Sequence, residues 1–188
     1  MIVERIADAK AEAISLDEAR KHCRILGTDD DDTLRIYIEA ARNHVESLME
    51  NALVEGTYAF YFNTSKSHYH IYKPIVSITT FEYNIVTNTG AYGGSLSGSD
   101  YHMDTEQGLI TINDSTMTDL YAQSNAIKIT AVVGQPNIGI IKGDIKLAML
   151  LMIGHWFENR EETIVGTTAA QIPTGARDLL APYKVYSL

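Results

Sequence analysis

The stretch His155-Trp156-Phe157-Glu158-Asn159-Arg160-Glu161 closes the most apolar run of this chain. The run covers residues 147–157 and is apolar nearly all round, a pattern typical of a helix that is buried inside a bundle. It is shorter than the roughly 18 residues that a membrane-spanning helix needs. We therefore predict a long core helix over about residues 140–161, with the rest of the chain packed around it.

Helical patterns also lie before this run. Ser15 and Glu18 have the spacing of a capping box, which predicts a first helix over about residues 16–24. The four aspartates at 29–32 can cap backbone N–H groups and complement a helix dipole, so they predict the start of a second helix that ends near Asn51. The apolar stripe of this helix is Leu34, Ile38, Ala41, Val45, Leu48 and Met49. Its charged residues are expected on the other side: Arg35, Glu39, Arg42 and Glu46.

A β region is predicted between the second and third helices. The composition there shifts to Tyr, Thr, Ser and Ile, and the hydrophobic period drops to two. Strands are predicted at residues 57–63, 75–84 and 126–133, with a hairpin formed by 101–104 and 109–113. Residues 88–99 are rich in Gly and Ser and are predicted to be a loop. A short last helix is expected over about 176–181, because Pro182 disfavours its continuation.

These elements predict an α+β fold. It is a small helical bundle, made of two N-terminal helices, one long core helix and a short C-terminal helix, with an inserted, mainly antiparallel β region. We expect one domain over residues 1–188, with the β insertion at residues 57–134 inside it.

Composition and charge limit the possible functions. Acidic residues outnumber basic ones by 24 to 15, which gives a formal charge of −9 and argues against tight binding of nucleic acid phosphates. The single cysteine, Cys23, excludes a disulfide within the chain. The start of the sequence lacks the pattern of a signal peptide, so we expect a protein of the cytoplasm with no membrane partner.

Few residues suggest chemistry. His68 and His70 are two apart in a predicted strand and so face the same side, and with His102 they suggest a small metal-dependent hydrolase. The tyrosine-rich strands suggest, as another alternative, a carbohydrate-binding module. Two surface histidines and a plain β region are the simpler interpretation, so we predict no enzyme, no catalytic residue, no metal and no cofactor.

Several short motifs follow one another over residues 14–184. They are Ile14-Ser15-Leu16-Asp17-Glu18-Ala19, Asp30-Asp31-Asp32, Ile38-Glu39-Ala40-Ala41-Arg42, Pro74-Ile75-Val76-Ser77-Ile78, Tyr101-His102-Met103-Asp104, Ile127-Lys128-Ile129-Thr130-Ala131, the run that begins at His155, and Leu179-Leu180-Ala181-Pro182-Tyr183. In this order they resemble the bacteriophage head–tail connector (adaptor) family.

The resemblance implies a structural virion protein. Subunits of that family form a ring of about twelve copies beneath the portal, extend the DNA channel and offer a docking surface to the tail or stopper protein. DNA would pass through the channel without specific binding, which suits an acidic protein. The location implied is the head–tail interface of the virion, with the host cytoplasm as the place of assembly.

The C-terminal segment is the predicted partner-binding site. Its candidate anchors for the portal or a neighbouring subunit are Ile172, Pro173, Leu179, Leu180 and Tyr183. The alternative is that these residues fold back onto the bundle as part of its core.

Overall fold

The computed structural model describes residues 1–7, 11–85, 92–113, 124–159 and 174–184. The chain forms two compact units. The first, here called the β unit, is Met1–Lys10 with Val54–Pro136, and the second, the helical unit, is Ala11–Leu53 with Asn137–Leu188. None of the described helices has both the length and the apolar character that crossing a membrane requires.

The secondary structure is mixed, as the sequence predicts. The helices are α1 Leu16–Cys23, α2 Asp31–Met49, α3 Gly143–Glu158 and α4 Thr174–Leu180. Short 3-10 turns cover Ile138–Ile140 and Ala181–Tyr183. The strands are β1 Ile2–Ala7, β2 Gly56–Phe62, β3 His68–His70, β4 Ile75–Asn84, β5 Tyr92–Ser95, β6 Tyr101–Asp104, β7 Leu109–Ile112 and β8 Ile127–Val133. The predicted α+β class is confirmed.

The β unit contains two antiparallel sheets. The larger has the strand order β1-β2-β8-β4-β5 and the smaller the order β3-β7-β6. Phe60, Ile129 and Phe81 lie opposite one another on β2, β8 and β4, and all three are buried. The Tyr69 ring of the smaller sheet packs on its edge against Phe81, with 5.7 Å between centroids. Aromatic side chains thus form much of the core of this unit.

Two parts of the β unit differ from the sequence prediction. Strand β1 was not predicted, yet it pairs with β2 along the edge of the larger sheet. The predicted loop at 88–99 contains strand β5, which pairs with β4; residues 88–91 lie outside the described residues. Gly94 fits there because the Tyr83 ring occupies the place of a Cβ atom. Glycine in this strand therefore serves close packing rather than a loop.

The helical unit is built around α3, which contacts α1, α2 and α4. Helix α3 is shorter than the predicted 140–161. Of the first predicted residues, Ile140 instead ends the 3-10 turn, and Ile141 and Lys142 are extended. At the start of this turn the Asn137 side chain accepts a hydrogen bond from the Gly139 amide (2.9 Å). At the other end Asn159 is not helical, and residues 160–161 lie outside the described part.

The start of α1 confirms the predicted capping box. The Ser15 hydroxyl accepts from the Glu18 amide, and the Glu18 carboxylate accepts from the Ser15 amide at 2.7 Å. The predicted role of the aspartates at 29–32 is confirmed in part, because Asp31 and Asp32 lie in the first turn of α2, where they complement the helix dipole. Asp30 stands at the N-cap without a capping side-chain hydrogen bond, while Asp31 forms an ion pair with Arg20 of α1. Asp31 therefore joins two helices instead of capping one.

The predicted outward position of two charged residues of α2 is wrong. Arg42 is 2% exposed and Glu46 is 5% exposed. Arg42 Nη1 donates to Glu46 at 3.2 Å, and Arg42 Nε donates to Glu12 at 2.8 Å. These ion pairs make burial of the charges possible. The prediction failed because the spacing of residues within α2 does not reveal a partner outside the helix such as Glu12.

Gly134, just after β8, allows a test of how closely the backbone packs against Val54 in the β unit. Its φ is +103°, and a Cβ atom there would overlap the carbonyl oxygen of Val54. Gly134→Ala is expected to lower the free energy of unfolding by about 2–3 kcal/mol. Gly27→Ala is the control, because no atom lies within 4 Å of its Cβ position. Urea denaturation of both variants gives the comparison; equal stabilities would contradict this description of Gly134.

Candidate functional site: the C-terminal segment

The C-terminal segment packs on the helical unit. Helix α4 contacts α3 and α2, and Ala176 and Leu180 are its buried residues. Gly175 lies beside Leu151 of α3, since a Cβ atom there would be 4.0 Å from Leu151 Cδ1. A helix of seven residues is too short to be stable alone in water, so α4 depends on this contact.

Tyr183 ties the end of the segment to the start of α3. Its hydroxyl donates to Asp144 Oδ2 at 3.1 Å, and Lys142 Nζ lies 4.9 Å from the centre of its ring. Desolvation and the hydrogen bond to Asp144 raise the pKa of Tyr183 above its usual value. Tyr183 is half-buried, so these contacts are worth little individually.

His44 of α2 lies near α4. Its Nε2 atom is enclosed and has no hydrogen-bond partner among the described residues. Burial, together with the positive charge of Arg177 on α4, lowers the pKa of His44 below its usual value. Protonation of His44 therefore opposes packing of α4.

The structure separates the predicted partner-binding residues. Leu180 is buried in the helical unit, which agrees with the alternative that part of the segment is core. Leu179 and Tyr183 are half-buried and remain partly accessible. Ile172 and Pro173 lie outside the described residues. That these five residues bind a partner stays a prediction.

The histidines of the β unit lie on one face of the smaller sheet. His68 and His102 are both opposite Thr111, one on each side of β7, and His68 Nδ1 is 3.2 Å from Thr111 Oγ1. Together with His70 all three are exposed. Within the described ranges, no group of three His, Cys, Asp or Glu side chains is placed to hold a metal ion.

The aromatic residues of the β unit point largely inward. Tyr58, Phe60, Tyr69 and Phe81 are buried, and every other aromatic residue that the structure describes in this unit is half-buried. A carbohydrate-binding module needs exposed rings on which a sugar can stack. The described part of the β unit does not offer such a row.

Three residues of this region escaped the sequence prediction. Lys142 and Asp144 contact Tyr183 from about forty positions earlier in the chain, a separation that no local pattern reports. His44 lies in α2 next to the apolar stripe, and its spacing from Ala41 and Leu48 was the available signal.

Residues 12–186 match the family model described as "Head completion protein". The chain belongs to the head completion protein family. This confirms the resemblance to head–tail connector proteins. Among curated proteins, no match was found.

Solved structures share the fold. The chain is similar to a chain of "Virion of native gene transfer agent (GTA) particle", with a TM-score of 0.73, 16% identity, and coverage of 100% of this chain and 97% of the other. It is also similar to a chain of "Neck of empty GTA particle computed with C6 symmetry", with a TM-score of 0.74, 14% identity and the same coverages. A third similar chain, from "Neck of native GTA particle computed with C12 symmetry", has a TM-score of 0.72 at 14% identity, again with 100% and 97% coverage.

The two leucines at the end of α4 provide a stability test. Leu180→Ala removes buried methyl groups and is expected to lower the free energy of unfolding by about 2–3 kcal/mol. Leu179→Ala, at the half-buried neighbouring position, is expected to cost less than about 1 kcal/mol. Urea denaturation followed by circular dichroism measures both. Equal losses would show that α4 does not pack as described.

His44 predicts a dependence of stability on pH. As the pH falls below the usual histidine pKa, near 6.5, the unfolded chain binds a proton at this residue before the folded chain does. The free energy of unfolding therefore falls between about pH 7 and pH 5. His44→Gln is expected to reduce this slope, as measured by urea denaturation at several pH values. Parallel curves for parent and variant would rule out this role of His44.

Proposed function

We propose that this head completion protein is a non-catalytic connector subunit that forms a ring beneath the portal, extends the DNA channel and gives the tail or stopper protein its docking surface. The family match over residues 12–186 is the observation that carries the proposal, because it spans nearly the whole chain. The fold shared with chains of particle necks, two of them computed with C6 and C12 symmetry, supports a ring of about twelve copies.

The charge of the protein suits this role. A formal charge of −9 disfavours adhesion of DNA, whose phosphates are also negative. A ring of such subunits would let DNA move through its channel. The protein would join the head–tail interface of the virion after synthesis in the host cytoplasm.

The portal contact is proposed to involve the C-terminal segment. Leu179 and Tyr183 are partly accessible there, and the exposed Ala181 and Pro182 lie between them. Partly exposed apolar residues beside a buried anchor such as Leu180 are suited to the centre of a docking surface. Ile172 and Pro173, earlier in the chain, are proposed to add to it.

Loss of the protein gives the first functional test. Cells that lack it are expected to accumulate DNA-filled heads without tails, because the docking surface for the tail is missing. Adding the purified protein to those heads should restore tail joining, counted by negative-stain electron microscopy. Normal numbers of tailed particles without the protein would contradict the proposal.

A substitution tests the portal contact. Leu179→Asp is expected to weaken binding to portal-bearing heads by at least about tenfold, because a carboxylate is costly in an apolar contact. The fold is expected to stay intact, because the Leu179 side chain is only half-buried. Leu26→Asp is the matched control, because Leu26 is fully exposed in the segment between α1 and α2. Co-sedimentation with heads measures both variants. Unchanged binding of Leu179→Asp would remove the segment from the interface.

A further inference from the structure

Arg42 of α2 contacts both ends of the N-terminal half of the helical unit, residues Ala11–Leu53, directly at one end and through Glu46 at the other. The chain enters this unit at Ala11 and leaves it after Leu53. Arg42 Nε donates to Glu12, one residue after the entry point, at 2.8 Å. Its Nη1 atom donates to Glu46 at 3.2 Å, and Glu46 Oε1 accepts from the backbone amide of Leu53 at 2.8 Å. One guanidinium therefore joins both ends of this half.

The connection is buried at Arg42 and Glu46, whose side chains are 2% and 6% exposed, and is partly exposed at Glu12, whose side chain is 36% exposed. Ala13 and Ile14, next to Glu12, are enclosed, and so are Ala52 and Leu53. Arg42 belongs to the largest fully buried side chains in the described part of the chain. Desolvating a guanidinium and a carboxylate is costly, and well-packed apolar side chains are often as stable as a buried ion pair or more so. Stability alone is therefore a weak reason for charges at this place.

The charged groups give this contact a defined geometry, which apolar packing alone does not. Apolar side chains can slide past one another with small changes in free energy, whereas hydrogen bonds between charged groups require defined distances and angles. The contact from Arg42 to Glu12 fixes the segment before α1, and the contact from Glu46 to Leu53 fixes the segment after α2. The hydrogen bond from Arg42 to Glu46 connects these two contacts, because Arg42 makes the first and Glu46 makes the second, so each contact supports the other.

We propose that Arg42 is a positioning residue that locks the entry and exit segments of the N-terminal half, residues 11–15 and 51–53, to α2 in one register. Loss of the guanidinium removes one charged partner of the buried Glu46 carboxylate and one contact of Glu12 with α2. Both segments then loosen together while the helices and sheets keep their structure. This role does not depend on ring assembly.

Hydrogen exchange of the full-length protein, read by mass spectrometry, tests the lock. In Arg42→Met, amides in residues 11–15 and 51–53 are expected to exchange at least about tenfold faster, whereas amides of β8 keep their rates. Lys21→Met is the matched control: Lys21 and Asp17 also form a helical i,i+4 ion pair, but their side chains are 76% and 66% exposed. That control is expected to change neither segment. Loosening of one segment alone, or of neither, would overturn the proposal.

A second variant distinguishes two roles of Arg42: holding the two segments in place, and neutralising the charge of Glu46. It can be measured even if Arg42→Met alone unfolds. Arg42→Met with Glu46→Gln removes the buried carboxylate charge together with its guanidinium partner, and the amide oxygen of Gln can still accept from the Leu53 amide. Thermal stability is expected to return close to that of the parent, and slow exchange to return at residues 51–53. Residues 11–15 are expected to stay at least about tenfold faster, because Glu12 has lost Arg42. Parent-like protection at 11–15 in this double variant would show that Arg42 only neutralises Glu46.

Discussion

Burial of α3 is the constraint on which the helical unit depends. This helix is apolar on nearly every side, so a single neighbouring helix cannot cover it. Helices α1, α2 and α4 all pack against it, although they come from both ends of the chain. In the sequence, the Val54–Pro136 part of the β unit therefore comes between helices that pack on the same partner. The Tyr37 and Trp156 rings, 6.2 Å apart, are one contact through which α2 covers α3.

The neighbours of α3 are held in different ways. Helix α1 adds an ion pair between Glu18 and Lys146 (3.3 Å) to its apolar contacts, and α2 is anchored by a long buried face. Helix α4 has two buried residues and the polar contacts of Tyr183. Fewer buried apolar groups mean a lower free energy of local opening. Helix α1, whose buried residue is Ala19, and α4 are therefore held by fewer buried apolar groups than α2.

Sequence reasoning recovered the elements whose signals are local. The capping box at Ser15 and the Thr-, Ile- and Tyr-containing run that starts after Pro74 gave α1 and β4 directly, and the apolar run gave α3. It failed where the decisive contact is distant in sequence. Strand β1 forms because β2 offers an edge, β5 because Tyr83 packs over Gly94, and Arg42 turns inward because Glu12 is there to meet it.

The candidate site shows the same division. The composition of 179–183 indicated a docking segment, but whether Leu180 is core or surface depends on α3 and α2. The histidines 68, 70 and 102 were recognised as neighbours, yet their separation across Thr111 could not be read from spacing. Residue types identify candidates, whereas tertiary packing decides which of them are accessible.

The central claim is that copies of this chain assemble side by side around an axis on the portal. Cryo-electron microscopy of the purified protein mixed with its portal tests this most directly. The account predicts a single closed layer of copies, with the cyclic symmetry of the neck and the C-terminal segment against the portal. Portal particles without such a layer, or with isolated copies bound at scattered positions, would contradict it.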